Sequence, residues 1–175
     1  GAVTACDVSI YLDLNQGFSR LYPYDIHHLT AQDYINFSQI MKPFLRPRQN
    51  GIDTLELWIQ GYSNYLRSVG EQRITMHGLY SDCPLKELES AVKWEIDHNL
   101  PVPYLNLKHA NPDLAAYVWH WFWLAGYVQY EDTFLVKLVT YGSFRWFSLE
   151  ELWNSGYKRK GGVILLDVTK KGREE

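Results

Sequence analysis

The chain has 175 residues, including seven tryptophans and thirteen tyrosines, which is enough aromatic and apolar material for one domain with a sizeable core. Acidic and basic residues are mixed along it and the formal net charge is -3, so no basic surface is available for nucleic acid or anionic lipid. No apolar run reaches the roughly 18 residues that a membrane span needs. We expect a single domain over residues 1–175, with no nucleic-acid partner and no membrane span.

The first half of the chain has helical patterns. Apolar residues recur at helical spacing over residues 2–14, which predicts a first helix. Residues 30–33 read Thr-Ala-Gln-Asp, a typical N-cap, and predict a second helix that runs toward Pro43. A third helix is predicted after Gly51, with large apolar groups at helical spacing until Gly70 ends it.

The second half of the chain is mostly strand. Residues 73–77 predict a strand, and Pro84 at a first-turn position begins a helix that runs to Ile96. The remaining predicted elements are strands over 102–107, 117–127, 134–140 and 163–168, with a short helix over 149–153. We therefore predict an α+β fold with a helical N-terminal half and a mainly antiparallel sheet in the C-terminal half.

One histidine stands in the most aromatic segment. Residues 119–127 read Trp-His-Trp-Phe-Trp-Leu-Ala-Gly-Tyr, so His120 comes at the start of an apolar run that stops at a glycine. We expect this strand to be buried on both faces, with the imidazole at the edge of a cleft, where it would exchange protons near neutral pH. The alternative is a core histidine that is hydrogen-bonded to a backbone carbonyl.

Other groups of polar side chains give weaker indications. His27 and His28 lie close to Asp25, but adjacent side chains on a loop diverge and the pattern places no further metal ligand, so a polar loop is favoured. The acidic pairs at 87/89 and 150/151 lie on predicted helices whose polar faces need them. We expect neither a metal nor a cofactor.

The order of these elements, together with four local patterns, resembles that of bacterial papain-like cysteine peptidases of the bacteriocin-leader-processing type. Residues 120–127 match the family pattern His-Trp-x-x-x-x-Gly-Tyr. Residues 90–102 resemble the family's helix, turn and strand, with Asn-Leu in place of the usual glycine in the turn. Residues 51–70 resemble its second helical segment, and residues 148–153 its short helix before the last strand. The resemblance covers nearly the whole chain.

The resemblance implies a papain-like fold and hydrolysis of peptide bonds through a thiol–imidazole pair. In this family a cysteine at the start of the first helix attacks the peptide carbonyl, and the histidine that corresponds to His120 protonates the leaving amine. The partner would be a peptide or protein substrate, and no cofactor is required. The resemblance also implies a bacterial protein that is exported or attached to the cell surface.

The start of the chain departs from the family pattern. The family's first helix opens as Cys-x-Pro-Thr-Ala, whereas residues 1–5 read Gly-Ala-Val-Thr-Ala, so Gly1 stands where the thiol belongs. In one interpretation Gly1 remains from cloning, and the natural protein has its cysteine at or just before this point, with the family's oxyanion-hole glutamine upstream. In the other, the protein is a pseudo-peptidase that binds a peptide or protein partner without cutting it. In both, we expect no hydrolysis by the chain as printed.

Neither cysteine of the chain is a good substitute for that thiol. Cys6 lies more than a helical turn inside the first predicted helix, where the terminal amides no longer stabilise a thiolate strongly, so we predict a structural role. Cys83 is also predicted to be structural, and the two residues are either free or joined in one optional bridge.

The third catalytic position departs from the family pattern as well. The family presents Asp or Asn on the strand after the histidine, but residues 137–143 read Lys-Leu-Val-Thr-Tyr-Gly-Ser. Thr140 can accept a hydrogen bond from an imidazole without offering the charge of an aspartate. We expect the start of the first helix to face His120, and with Thr140 at the third position the orientation of His120 would be less secure.

Overall fold

A computed structural model describes residues 1–169 of the chain. The elements follow in this order: α1 (Ala2–Asn15), α2 (Ala31–Leu45), α3 (Leu55–Ser68), β1 (Ile74–Tyr80), α4 (Leu85–Asp97), β2 (Val102–Asn106), a 3₁₀ helix (Pro112–Tyr117), β3 (His120–Tyr130), β4 (Thr133–Thr140), β5 (Ser143–Ser148), α5 (Leu149–Trp153) and β6 (Gly161–Val168). The predicted α+β class, with helices first and strands after, is confirmed.

The six strands form one sheet in the order β1-β6-β2-β3-β4-β5, and every neighbouring pair is antiparallel. The predicted antiparallel sheet is therefore confirmed. Strand β3 lies inside the sheet between β2 and β4, and His120 at its first position is opposite Asn106 of β2. Strands β1 and β5 are the two edges.

Helix α2 begins where its predicted N-cap places it, and α3 has a similar cap at Thr54 that the sequence analysis did not name. The Thr30 hydroxyl accepts the backbone N–H of Asp33 at 3.1 Å at the start of α2. The Thr54 hydroxyl does the same for Leu57 at 3.3 Å at the start of α3. Each bond satisfies an amide that would otherwise lack an intrahelical partner, which is why these sequence signals locate the helix starts well.

Apolar residues pack on both faces of the sheet, and β3 contributes to both cores. Helices α1, α2 and α3 supply most of the first core, which includes Trp121, while α4 and α5 contribute to the second, which includes Phe122 and Leu124. This alternation follows from the two-residue period of a strand. Helix α1 is buried along most of its length, with Ala5, Cys6, Val8 and Leu12 fully covered.

Three predicted features differ from the structure. The strand predicted over 117–127 begins at His120, because Pro112–Tyr117 forms a 3₁₀ helix whose first turn is capped by the side chain of Asn111. Strand β3 is not buried on both faces along its length, since its last residues, including Tyr130, are exposed. Strand β5 was not predicted: it is an edge strand whose first four residues are exposed. No helix among residues 1–169 is long and apolar enough to cross a membrane.

Helices α2 and α3 cross at a glycine, and this close approach can be tested. A Cβ atom added at Gly61 would lie 2.8 Å from the Leu45 Cα and 2.8 Å from the Phe44 carbonyl oxygen, both backbone atoms that cannot move alone. We expect Gly61→Ala to lower the free energy of unfolding by about 1–3 kcal/mol, as overpacked cores do. The measurement is urea unfolding followed by circular dichroism.

Gly126→Ala is the matched control for Gly61→Ala. A Cβ atom added at Gly126 meets no atom closer than 3.6 Å. The urea midpoint of Gly126→Ala should therefore stay near that of the parent chain. Equal midpoints for Gly61→Ala and the parent chain would show that the two helices separate at little cost.

Candidate functional site

A cavity of about 420 Å³ lies where the start of α1 meets the start of β3 and the turn between β4 and β5. Gly1 and His120 both line it, as predicted for a helix start that faces the histidine. Helix α2 adds Tyr34, and the β4–β5 end of the sheet adds Thr140 and Tyr141. The other lining residues are Val3, Asp7, Trp121, Val139 and Gly142.

Two tryptophans fix the start of α1 at this cavity. The indole N–H of Trp58 donates to the Gly1 carbonyl at 3.0 Å, and the indole N–H of Trp121 donates to the Ile52 carbonyl at 2.7 Å. The two rings stack with centroids 5.7 Å apart. Because Trp121 follows His120 in β3, this pair of rings holds the helix start and the histidine in one place.

Gly1 lies in a tightly packed position. A Cβ atom added there would lie 2.6 Å from the Cδ1 atom of Ile52 and 3.5 Å from Trp58. The Ile52 atom is the end of a flexible side chain, so a larger residue at position 1 requires that side chain to move. The space that a nucleophile's Cβ would need is thus taken by an apolar group.

The imidazole of His120 is held on two sides. Its Nε2 atom shares a hydrogen bond of 2.7 Å with the hydroxyl of Thr140, the residue named in the sequence analysis as able to accept one. The ring of Tyr141 stacks on it, with centroids 4.5 Å apart and planes inclined by 11°. The partner is therefore not the backbone carbonyl of the core-histidine interpretation. Burial lowers the pKa of His120, which favours a neutral ring at pH 7.

Two aromatic residues beside His120 have unusual backbone conformations. Trp119 and Tyr141 both have a φ of 51°, in the left-handed region that bulky residues rarely adopt. Tyr141 and Gly142, with a φ of 69°, form the two-residue loop between β4 and β5, where positive φ values suit the twist of a hairpin. In Tyr141 this conformation presents the ring to His120. Strained residues of this kind are concentrated at functional sites.

Asp7 is a site residue that the sequence analysis did not single out. It lies four residues after Val3 on α1, so both side chains are on the helix face that lines the cavity. Burial raises the pKa of Asp7 to about 7, although the nearby Trp123 indole partly opposes this. This contact is weak, since the buried Trp123 N–H forms no hydrogen bond of good geometry within the described part of the chain.

Neither cysteine lies at the cavity. Cys6 is fully buried in the core around α1, and Cys83 precedes α4, where its thiol donates to the Pro84 carbonyl at 3.6 Å. Both are free, so the optional bridge does not form. Burial raises the pKa of both thiols, which keeps them protonated and slow to react at neutral pH. These positions favour the structural roles predicted for them.

The histidine pair near Asp25 lies in the loop between α1 and α2. The Asp25 carboxylate accepts the backbone N–H of His27 at 2.8 Å, which is how aspartate stabilises a turn. Among residues 1–169, no group of three or more His, Cys, Asp or Glu side chains could hold a metal ion.

Comparison of the chain with protein-family models, with curated proteins and with solved structures gives no match. What the cavity does must therefore be inferred from its own geometry and from the resemblance in the sequence.

The buried carboxyl of Asp7 makes a pH-dependent prediction. Because its pKa rises from 3.8 to about 7 on folding, the unfolded chain loses this proton between about pH 4 and pH 7 while the folded chain keeps it. Stability is therefore lost as the pH rises through that window. Asp7→Asn has no carboxyl to ionise, so it should not lose stability over this pH range. We expect it to raise the free energy of unfolding by about 1–2 kcal/mol at pH 8, a figure reduced because the side chain is partly exposed. At pH 4 we expect little change.

The measurement is thermal unfolding of both proteins at pH 4 and pH 8. Asp132→Asn, in the exposed turn between β3 and β4, is the control for removal of one negative charge. If Asp7→Asn changes the thermal stability of the parent chain by the same amount at both pH values, then burial does not shift the pKa of Asp7.

Proposed function

We propose that this chain is a papain-like peptidase domain that binds an extended segment of a peptide or protein at the cavity between Gly1 and His120, without cutting it. The observation that carries the proposal is the pairing of a glycine and a histidine across one cavity, at the positions where the resembled family has its nucleophile and its general acid. The bacterial, exported setting that the resemblance implies belongs to the same proposal.

The order of the elements supports the papain-like part of the proposal. A long, buried first helix lies against one face of an antiparallel sheet, and a histidine begins a central strand of that sheet. The next strand supplies the histidine's partner, Thr140, at 2.7 Å. A thiol–imidazole site requires a helix start for the thiol, a histidine as the base and a third residue that orients the histidine. Here three different elements supply these parts.

The absence of a thiol from the lining of the cavity supports binding rather than cleavage. Nucleophilic catalysis needs a thiol or hydroxyl within hydrogen-bond reach of the base. Gly1 has no side chain, and both thiols lie away from the cavity. The Thr140 hydroxyl is in reach of His120, but it occupies the position that orients the imidazole in the resembled family. Thr140 also carries no charge to stabilise an imidazolium.

The surface beside the cavity supports a peptide as the ligand. Among the strands of residues 1–169, β5 pairs only with β4, so its outer edge is open to hydrogen bonds from an extended chain. Phe144 of β5 is opposite Val139, which lines the cavity, and is 56% exposed. Trp146, two residues further on, is 43% exposed. Exposed aromatic side chains next to a free strand edge suit the side chains of a bound peptide.

The second candidate function is the cysteine-peptidase activity that the resemblance implies, which needs a thiol at the start of α1, where Gly1 stands. The same juxtaposition of Gly1 and His120 favours it, because a thiol at a helix N-terminus beside an imidazole is activated by both. The two candidates differ in whether position 1 carries a thiol, so introducing one there separates them.

We expect Gly1→Cys, combined with Ile52→Ala to make room for the new Cβ, to create thiol-dependent hydrolysis of a fluorogenic peptide library. The rate should exceed that of the parent chain by roughly 100-fold, the lower end of what positioned acid–base catalysis contributes. Thr140→Asp in the same background should raise the rate further, because a carboxylate stabilises the imidazolium. Alkylation with iodoacetamide should abolish it.

Gly1→Ala with Ile52→Ala is the matched control, because it fills the same space without a thiol. His120→Ala in the cysteine background should return the rate to that of the control. Hydrolysis by the parent chain that disappears in Thr140→Ala would contradict the proposal, since the threonine would then be a nucleophile. If the Gly1→Cys variant is inert although its introduced thiol reacts with iodoacetamide, the peptidase candidate is excluded and peptide binding is left.

A further inference from the structure

Asp7 is partly buried, and it differs from the three buried carboxylates of the described chain in having no strong hydrogen-bond or ion-pair partner. Asp13 accepts the backbone N–H groups of Leu21 and Tyr22, at 3.2 and 2.9 Å. Glu95 accepts the Leu166 N–H at 3.0 Å, although burial raises the pKa of Glu95 to about 8.

Asp53 is paired with two arginines, Arg48 at 2.8 Å and Arg159 at 3.0 Å. Asp7 forms no ion pair among residues 1–169, and its one polar side-chain contact is a weak one with the Trp123 indole. A carboxylate that is partly removed from water is costly unless it is well paired, and Asp7 lacks the strong partner that the other three have.

The walls around Asp7 suit a cation. Tyr34, Trp121 and Tyr141 contribute aromatic rings to the cavity, and aromatic faces attract ammonium and guanidinium groups. No lysine or arginine is among the lining residues. The amino group of Gly1 is close enough to lower the pKa of Asp7, yet no ion pair forms within 4.0 Å. The cavity therefore has one negative group and no cationic side chain of its own.

We infer that the cavity binds the cationic side chain of a lysine or arginine in the bound peptide, with Asp7 as its counter-ion. This inference rests on the proposed peptide-binding function and names the kind of peptide. Val3 and Val139 on the same walls would contact the methylene groups of such a side chain, while the charged end pairs with the carboxylate. A volume of about 420 Å³ accommodates either side chain.

Side chains of similar size but different charge should bind to this cavity with different affinities. Norleucine has nearly the shape of lysine without its charge, so it would fill the same space and leave Asp7 unpaired. Glutamate would add a second negative charge next to the first. Lysine and arginine should therefore bind best, norleucine less well and glutamate least.

The test uses four pools of fluorescein-labelled, capped hexapeptides, each with one fixed position occupied by lysine, arginine, norleucine or glutamate. Binding is measured by fluorescence polarisation. We expect the lysine and arginine pools to bind about tenfold more tightly than the norleucine pool, as a hydrogen bond to a charged group implies. Asp7→Asn should remove this preference. Asp7→Glu should keep part of it, and Asp132→Asn, which removes a charge elsewhere, should keep all of it.

A second measurement separates this inference from the proposed function. Butylammonium is added to the ¹⁵N-labelled protein, and the indole signal of Trp121 is followed by NMR. Butanol, which has a similar shape but no charge, is added to a separate sample as the control. If the lysine and norleucine pools bind equally, the cation site is wrong and peptide binding stands. If no pool binds but butylammonium moves the Trp121 signal in the parent chain and not in Asp7→Asn, the cation site stands and the peptide-binding function is wrong. If neither occurs, both are wrong.

Discussion

The site depends on the stacked pair of Trp58 and Trp121. The Trp58 indole donates to the Gly1 carbonyl at the start of α1, at 3.0 Å. The Trp121 indole donates to the Ile52 carbonyl in the segment before α3, at 2.7 Å. Trp121 also belongs to β3, so the pair connects the first helix to the central sheet through side chains that are nearly fully buried. This connection helps to bring Gly1 and His120 to one cavity, although they lie 119 positions apart in the chain.

Much of the fold could be predicted because its signals are local. Thr30 caps the helix that it was expected to cap, and the short helix α5 has the predicted bounds. Strand β5 could not be predicted in the same way. Its residues are mostly exposed on both faces, so no alternation of apolar and polar residues marks it, and its existence depends on the hairpin with β4.

The site was only partly predictable. His120 and Thr140 were chosen from the pattern of residues around them, and the structure brings them to 2.7 Å. Asp7 was not chosen, because one acidic residue in a helix is typical of a solvated position, and only the tertiary structure turns it toward a cavity. The left-handed conformations of Trp119 and Tyr141 are equally invisible in the sequence, since neither residue type favours them.

The most direct test of peptide binding at this cavity is an NMR titration of the protein, ¹⁵N-labelled at its seven tryptophans, with the lysine-fixed peptide pool. Trp121 lines the cavity, whereas Trp94 on α4 and Trp153 on α5 belong to the helices on the other side of the sheet. Binding at the cavity should move the indole signal of Trp121 and leave those of Trp94 and Trp153 in place. Movement of Trp94 or Trp153 while Trp121 stays fixed would locate the ligand elsewhere and contradict the proposed function.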